Sequence, residues 1–383
     1  MKYIDEFRDP ALAAPVVRDI AALLAKMDRT RERPLKIMEV CGGHTHAIFR
    51  FGIEEMVPPG VELVHGPGCP VCVLPTGCID DAIAVAETPG VILTTFGDVM
   101  RVPGSKSSLL EARARGADVR IVYAPTDALQ IARENPDRPV VFLAIGFETT
   151  SPSTAFTILE AERDGVENFS IICHHIVVVP ALRALLDAPR IELDGFIGPG
   201  HVSMVIGLSP FDVIADEYKK PLVIAGFEPL DVLQALLMVV RQIAEGRAAI
   251  ENQYQRVVGA KGNEVAWGAV MEVFSPTADR EWRGLGEIPQ SGLALRERYA
   301  KFDALQRFTV PGQRVADPKA CQCGEVLQGV IKPWECKVFG TACTPETPIG
   351  ACMVSGEGAC AAYFNYGRLT TARRLPIVEA TRG

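Results

Sequence analysis

The sequence lacks the features that mark several common classes of protein. Its net charge is −8, and it contains no basic run of the kind that follows phosphates along a nucleic acid. Its most apolar stretch, residues 222–240, is interrupted by Glu228, Pro229 and Asp231, so no uncharged span of about 18 residues is available to cross a membrane. The N-terminal residues MKYIDEFRDP lack the apolar core of a secretory signal. We therefore expect a cytoplasmic protein without nucleic-acid or membrane partners, in a reducing compartment where thiols stay free.

Motifs for nucleotide and radical chemistry are missing as well. The chain has no G-x4-G-K-[S/T] phosphate loop, and no G-x-G-x-x-G opens a helix after a strand, which disfavours a dinucleotide cofactor. It also has no C-x3-C-x2-C, so a radical-initiating cluster is not indicated.

What the chain does have is cysteine: eleven residues, ten of which fall into two groups. The first group is Cys41 in VCGGHTH together with Cys69, Cys72 and Cys78 in HGPGCPVCVLPTGC. The second group lies towards the C-terminus and comprises Cys321, Cys323, Cys336, Cys343, Cys352 and Cys360. Cysteines in turns rich in Gly, Pro and His are typical of metal ligation, cluster ligation or thiol–disulfide exchange.

Short apolar runs that alternate with helical stretches predict an α/β fold with mainly parallel sheets. The predicted strands are residues 35–40, 61–65, 91–96, 119–124, 140–146, 169–179, 195–200 and 221–227. The helical stretches include residues 10–28, 76–87 and 107–116. Two blocks of four strands with the same cadence predict two similar lobes.

The predicted domains follow from this alternation of strands and helices and from its loss near the C-terminus. We expect residues 1–33 to form an N-terminal helix that packs on the third domain. Residues 34–135 would form the first α/β lobe, which contains Cys41, Cys69 and Cys72, and residues 136–245 the second lobe. Residues 246–383 form a loop-rich third domain, in which we expect a β-like run at 265–274 and a helix at 293–308. Residues 311–368 are rich in Cys, Gly, Pro and Thr and cannot build a large apolar core, so four thiolates around an inorganic core would organise them.

The first group of cysteines follows two predicted strands. Ligands of parallel α/β sheets gather at the carboxyl ends of the strands, and Cys41 directly follows the strand that ends at Val40. Cys69 and Cys72 follow the strand that ends at His65. If these two strands are neighbours, three thiols converge on one edge of a sheet.

The C-x-x-C of this group supports two chemistries. It can cycle between dithiol and disulfide, or it can bind a soft metal with Cys41 as the third ligand. His44, His46 and His65 are candidates for orienting ligands or carrying protons, although a structural hydrogen bond is nearly as good an explanation for each. Cys41, Cys69 and Cys72 are thus the candidate metal ligands and reactive thiols, with His44 beside them.

The C-terminal array reads C336-x6-C343-x8-C352-x7-C360. Four sulfurs on loops rich in Gly and Pro favour a [4Fe–4S] cluster. Zinc is the competing metal, but structural zinc sites usually use short C-x2–4-C knuckles, which this array does not have. Cys321 and Cys323 either replace a member of the quartet or pass electrons.

A third candidate region is GFETTSPST, residues 146–154, which ends a buried strand and starts a helix. Glu148, Thr149 and Thr150 are positioned to line the cleft between the lobes. The alternative is helix capping by Thr150 or the serines that follow it. His201, in GPGHVS after another strand, is open to the same two explanations.

Five ordered motifs together resemble the HypD family of [NiFe]-hydrogenase maturation factors, over essentially the whole chain. They are CGGHTH (41–46), GPGCPVC (66–72), GFETT (146–150), GPGHVS (198–203) and the cysteine-containing tail 343–360. The resemblance implies two α/β lobes and a third, cluster-bearing domain. It also implies a scaffold role, in which a HypC-type chaperone and a HypE-type cyanide donor help to assemble the Fe(CN)2CO unit of the hydrogenase large subunit.

Roles for individual residues follow from the same resemblance. Cys41 would be an iron ligand shared with a HypC cysteine, and Cys69 and Cys72 a redox-active pair near that iron. The C-terminal cysteines, assigned as Cys336, Cys343, Cys352 and Cys360, would hold a [4Fe–4S] cluster that relays electrons.

Two other functions remain compatible with the residues. The first is a cluster-dependent thiol–disulfide reductase, in which Cys69 and Cys72 reduce disulfides of partner proteins. The second is a zinc-stabilised binding module without catalysis.

Overall fold

The computed structural model describes residues 5–189 and 191–367, so the predicted segments 1–33 and 246–383 lie partly outside it. Two parallel sheets form the two lobes, which confirms the predicted fold class. The strands of these sheets are β1 (Leu35–Glu39), β2 (Val61–His65), β3 (Ile92–Thr95), β4 (Asp118–Ile121), β5 (Val140–Gly146), β6 (Phe169–His175), β7 (Gly195–Pro199), β8 (Leu222–Ala225) and β9 (Ile250–Asn252).

The order of the strands differs from the predicted division of the chain. The five-stranded sheet has the order β2-β1-β7-β8-β9 and the four-stranded sheet the order β4-β3-β5-β6, with every neighbouring pair parallel. The chain leaves the first sheet after β2, builds the second, and returns at β7. The two sheets therefore do not correspond to residues 34–135 and 136–245, because the strands of each sheet do not pair in their order along the chain.

The helices that precede or lie between these strands cover both sheets. They are α1 (Pro10–Lys26), α2 (Gly42–Arg50), α3 (Ile53–Met56), α4 (Thr76–Ala86), α5 (Leu109–Ala114), α6 (Pro125–Glu134), α7 (Ser151–Arg163), α8 (Val178–Asp187), α9 (Gly200–Ile206), α10 (Asp212–Asp216) and α11 (Pro229–Ala244). None of the helices in the described part of the chain is both long and apolar enough to span a bilayer.

The N-terminal helix belongs to the lobe of the five-stranded sheet. The Asp9 side chain accepts the Ala11 amide N–H at 2.8 Å, and Pro10 takes the first helical position, where its missing N–H costs nothing. The buried face of α1, with Ile20 and Leu24, packs against α11 and shares its apolar core. The predicted packing on the third domain is wrong, because the apolar stripe of α11 is the surface that complements α1.

The C-terminal part is assembled from short elements. These are α12 (Glu264–Val273), β10 (Phe274–Pro276), β11 (Asp279–Trp282), β12 (Gly286–Pro289), β13 (Leu293–Leu295), α13 (Ala304–Arg307), α14 (Cys323–Leu327) and α15 (Ala359–Ala362). Strand β9 completes the first sheet, and Tyr299 and Phe302 are buried in the core of the second lobe. Residues 246–310 are thus shared with the lobes, and from 311 to 367 only short helical segments occur.

Two local predictions in this part are wrong. Residues 265–273 form a helix instead of a strand, and only Phe274 belongs to a strand, β10. The Asn263 side chain accepts the Ala266 amide N–H at 3.0 Å and so caps α12, which packs on α7. The predicted helix at 293–308 is divided into β13, a 3-10 segment at Glu297–Phe302 and α13.

Candidate metal and thiol site

The carboxyl ends of β1 and β2 bring the first group of cysteines together. The strands are parallel neighbours in a register that pairs Glu39 with His65, so the prediction that they lie side by side is confirmed. The Gly42 amide N–H donates to the Gly68 carbonyl at 3.1 Å. A Cβ on Gly68 would overlap the Cys41 amide nitrogen, so only glycine lets the two loops approach this closely. Cys41 and the C-P-V-C turn therefore lie against each other at one sheet edge.

The two thiols of the C-P-V-C turn are buried and lie next to each other. Cys69 is 3% exposed and Cys72 is fully buried, and the Cys72 amide N–H donates to the Cys69 Sγ at 3.3 Å. Burial is the main reason why the pKa of each thiol lies above its usual value. Both are therefore protonated at neutral pH, and a cation or a reacting partner must help to remove the proton before either can bind metal or attack.

A fully buried carboxylate, which sequence reasoning missed, holds the Cys41 backbone. Glu39 Oε2 accepts the Cys41 amide N–H at 3.1 Å, and Oε1 accepts from His65 Nδ1 at 2.8 Å. The Thr45 hydroxyl also donates to Oε1. An acidic residue at the last position of an apolar strand, directly before the Cys41 turn, was the available signal. The Glu39–His65 pair ties β1, β2 and the start of α2 together.

Negative charge surrounds the Cys41 thiol. Burial raises the pKa of Cys41 to about 12, and the carboxylates of Glu357 and Glu39 add to that shift. The pKa of Glu357 is itself raised, by burial first and then by the charges of Asp98 and Glu39. A cation at this edge would lower the pKa of the Cys41 thiol and of the Glu357 carboxyl group, since its positive charge favours the thiolate and the carboxylate.

His44 is held in one tautomer by the backbone of the neighbouring strand. Its Nε2 contacts the carbonyl oxygens of Ala225 and Gly226 at 3.1 and 3.0 Å, so this nitrogen carries the proton. Nδ1 is buried and has no hydrogen-bond partner within the described residues. The ring stacks on Phe227, which stacks on His201 at 3.8 Å between ring centroids. The two histidines are thus joined through an aromatic ring, and burial lowers the pKa of His44.

Glu148 lies at the carboxyl end of β5, in the second lobe. It is 2% exposed, so it is buried rather than lining an open cleft. Its Oε1 accepts the Val178 amide N–H at 3.0 Å, and its Oε2 finds no partner in the part of the chain that the structure describes. Burial raises the pKa of Glu148 to about 7. Thr150 makes no side-chain cap bond to α7, so the capping alternative is not observed at that residue.

The C-terminal cysteines reach the C-P-V-C turn through a row of neighbouring thiols. Cys72 lies next to Cys352, which is 280 residues further along the chain, and a Cβ on Gly358 would meet both the Cys352 carbonyl oxygen and the Cys72 Sγ. Cys352 lies next to Cys323, and Cys323 next to Cys321. Sequence reasoning missed this contact between the two groups of cysteines, since no local pattern indicates it.

Cys321, Cys336 and Cys343 gather around Cys360, whereas Cys352 of the predicted quartet lies next to Cys72 and Cys323. Burial raises the pKa of the Cys360 thiol, and the charges of Cys321, Cys343 and Cys336 raise it further. The Ile349 amide N–H donates to the Cys343 Sγ at 3.4 Å. Six thiols on one loop-rich segment are a donor set that suits an iron–sulfur cluster. Across residues 5–189 and 191–367 they do not form a ready-made group of three or more metal donors.

Fold and site together define a two-lobed α/β protein with buried thiols at a sheet edge and a cysteine-containing C-terminal segment against them. The family model described as "HypD: Hydrogenase formation hypA family" matches residues 15–367. Over 371 residues the chain is 57% identical to the hydrogenase maturation factor HypD of Rhodobacter capsulatus, covering 96% of this chain and 98% of that one. It is 52% identical over 366 residues to the factor of the same name from Escherichia coli K12, with 96% and 98% covered. The chain belongs to the HypD family of hydrogenase maturation factors, which confirms the resemblance.

Proposed function

We propose that this protein acts in hydrogenase maturation as the scaffold on which an Fe(CN)2CO unit is assembled. The observation that supports this most directly is the meeting of the Cys41 loop with the Cys69–Cys72 turn at one sheet edge. Thiolates suit an electron-rich ferrous centre of the kind that cyanide and CO require. The iron is cargo, received at this edge and passed on towards the hydrogenase large subunit.

Cys41 is the residue that would hold this iron. Its thiol is protonated in the free protein, so iron binding releases a proton and becomes stronger as the pH rises. The carboxylates of Glu39 and Glu357 attract the cation, and the Glu39 bond to the Cys41 amide fixes the loop that carries the sulfur. A HypC-type chaperone would add a further sulfur ligand, and a HypE-type protein would deliver cyanide.

Cys336, Cys343, Cys352 and Cys360 would hold a [4Fe–4S] cluster, which when bound supplies single electrons to the site. Cys352 is the residue of this quartet that touches the Cys72 thiol. Cys69 and Cys72 would form a redox pair next to the iron, whose disulfide takes up two electrons and two protons to become the dithiol.

The test is the infrared spectrum of the complex with the HypC-type chaperone, purified without oxygen from cells that make all maturation proteins. Cys41→Ala should abolish the cyanide and CO bands. Cys173→Ala is the matched control, because its thiol donates to the Leu293 carbonyl in the second lobe, away from the sheet edge. Bands of normal intensity in Cys41→Ala protein would exclude Cys41 as an essential iron ligand.

A cluster-dependent thiol–disulfide reductase is the second candidate, favoured by the adjacent Cys69 and Cys72 thiols. Iron and sulfide analysis of anaerobically purified protein separates the two functions. The reductase contains only cluster iron, in equal amount to sulfide, whereas the scaffold contains additional iron with cyanide and CO vibrations.

A further inference from the structure

Arg283 is a buried arginine that has no part in the proposed scaffold function as described so far. It directly follows β11 and is 3% exposed. Its amide N–H donates to the Val73 carbonyl at 2.7 Å, just beyond the C-P-V-C turn. Its Nη2 donates to the Pro103 carbonyl at 2.9 Å and to the Thr76 hydroxyl. The guanidinium group is therefore held beside the loop that joins the C-P-V-C turn to α4.

The positive charge of Arg283 is only partly neutralised. Its Nε lies 3.2 Å from Asp317 Oδ1, but the Asp317 side chain is 34% exposed, so water weakens the attraction of that carboxylate. Nη1 is buried and has no hydrogen-bond partner among the residues that the structure describes. A buried N–H of a charged group without an acceptor is costly. An anionic acceptor at this position would remove that cost.

The nearest candidates for such an acceptor are the C-terminal thiols. Arg283 lines a small cavity together with Cys321 and Cys323. The residue after it, Gly284, touches the backbone of Gly324, because a Cβ on Gly324 would overlap the Gly284 carbonyl oxygen. Cys321 in turn is one of the thiols gathered around Cys360. The arginine therefore lies beside the sulfurs that are the donor set for the proposed cluster.

We propose that Arg283 is the positively charged partner of the iron–sulfur cluster, with Nη1 donating to a sulfur of the cluster or of a cysteine that binds it. The inference rests on the proposed cluster. It holds for each choice of four ligands among the six C-terminal thiols, because Cys321 and Cys323 belong to the same group.

The expected consequence is a higher reduction potential. A cluster held by four thiolates is an anion, and its negative charge grows by one unit when it accepts an electron. A fixed positive charge nearby therefore stabilises the reduced form more than the oxidised form. An N–H that donates to sulfur acts in the same direction. Arg283 would thus set how readily the cluster accepts an electron, and it is a positioning residue that takes no part in the transfer itself.

The test is the midpoint potential of the cluster in the full-length protein, purified anaerobically and titrated with dithionite and mediators under electron paramagnetic resonance. Arg283→Gln should shift the midpoint to a more negative potential, whereas Arg283→Lys keeps the charge and should stay closer to the native value. The readout comes only from molecules that hold a cluster. A purely structural role, through the bonds to Thr76 and Pro103, would lower the cluster content without moving the potential.

The matched control is Arg280→Gln. Arg280 lies in the same strand, but its Nη2 donates to the Leu293 carbonyl at 2.9 Å, in the second lobe. Its replacement removes one positive charge from β11 and should leave the potential close to the native value.

Asp317→Asn is a second variant that keeps Arg283 and removes its counter-charge, so it should shift the potential to a more positive value. An unchanged potential in Arg283→Gln, or equal shifts in the Gln and Lys variants, would overturn the proposal. If Arg283→Gln protein holds no cluster, an unchanged potential in Asp317→Asn would overturn it instead. Native protein without iron and sulfide would refute the proposed cluster itself, which is a different result from a cluster whose potential ignores Arg283.

Discussion

Glu148 makes the stability of the protein depend on pH in a way that can be calculated. Its pKa rises from 4.5 to about 7 because the side chain is buried. Between these two values the folded protein binds a proton that the unfolded chain has lost. Stability from this residue is therefore fully present below pH 4.5 and disappears as the pH rises through about 7.

The magnitude follows from the size of the shift. Each pKa unit corresponds to about 1.4 kcal/mol, so raising the pH from about 5 to about 8 should cost about 2 to 3 kcal/mol through this carboxyl group alone. Because Glu148 is 2% exposed, solvent screening does not reduce this figure appreciably. Glu148→Gln keeps the shape and the acceptor for the Val178 N–H but cannot ionise, so it should remove this part of the pH dependence.

The assay is urea unfolding of reduced apoprotein at several pH values in that range, followed by circular dichroism. The quantity to compare is the change in unfolding free energy with pH in the native protein minus that in Glu148→Gln. Glu297→Gln, at an exposed carboxylate, serves as the control and should follow the native protein. A Glu148→Gln curve parallel to the native one would refute the reasoning, because it would mean that the carboxyl group ionises normally in the fold.

Two further predictions concern the thiol site. Cys352→Ala, purified anaerobically, should lose most of its iron and sulfide because a cluster ligand is removed, and full iron and sulfide content would contradict the assignment. Gly68→Ala should lower the unfolding free energy by about 1 to 3 kcal/mol, since the added methyl group overlaps the Cys41 amide nitrogen. Gly90→Ala, where a Cβ has open space but the backbone has φ of +83°, separates steric overlap from backbone strain in the same urea assay.

The part of the site formed by Cys41 and the C-P-V-C turn could be predicted from the sequence, because it depends on where two strands end. Cys41 and the C-P-V-C turn each follow an apolar run, and parallel neighbours place such turns at a common edge. The order of the strands in the sheets could not be predicted in the same way. Nothing in residues 195–199 indicates that β7 pairs with β1 instead of with β6, because both choices give a buried apolar strand.

Long-range polar contacts could not be predicted from the sequence either. Glu39 and His65 are 26 residues apart, and they meet only because the register of β1 and β2 places them opposite each other. The Cys72–Cys352 contact spans 280 residues and depends on how the C-terminal segment folds back onto the lobes. At residues 265–274, β-branched side chains favoured a strand, but the cap at Asn263 and packing on α7 outweighed that preference.

The raised pKa values of the buried thiols explain how an unloaded protein of this kind can be stable. The pKa values of four thiols lie above the usual value for cysteine, namely those of Cys41, Cys72, Cys323 and Cys352. The metal-free site therefore contains neutral thiols and avoids the cost of several anions in contact. A metal ion changes the balance, because its positive charge stabilises each thiolate it contacts and releases a proton for each. Loading is then favoured where a cation is present, and the same thiols stay protonated and poorly reactive where it is not.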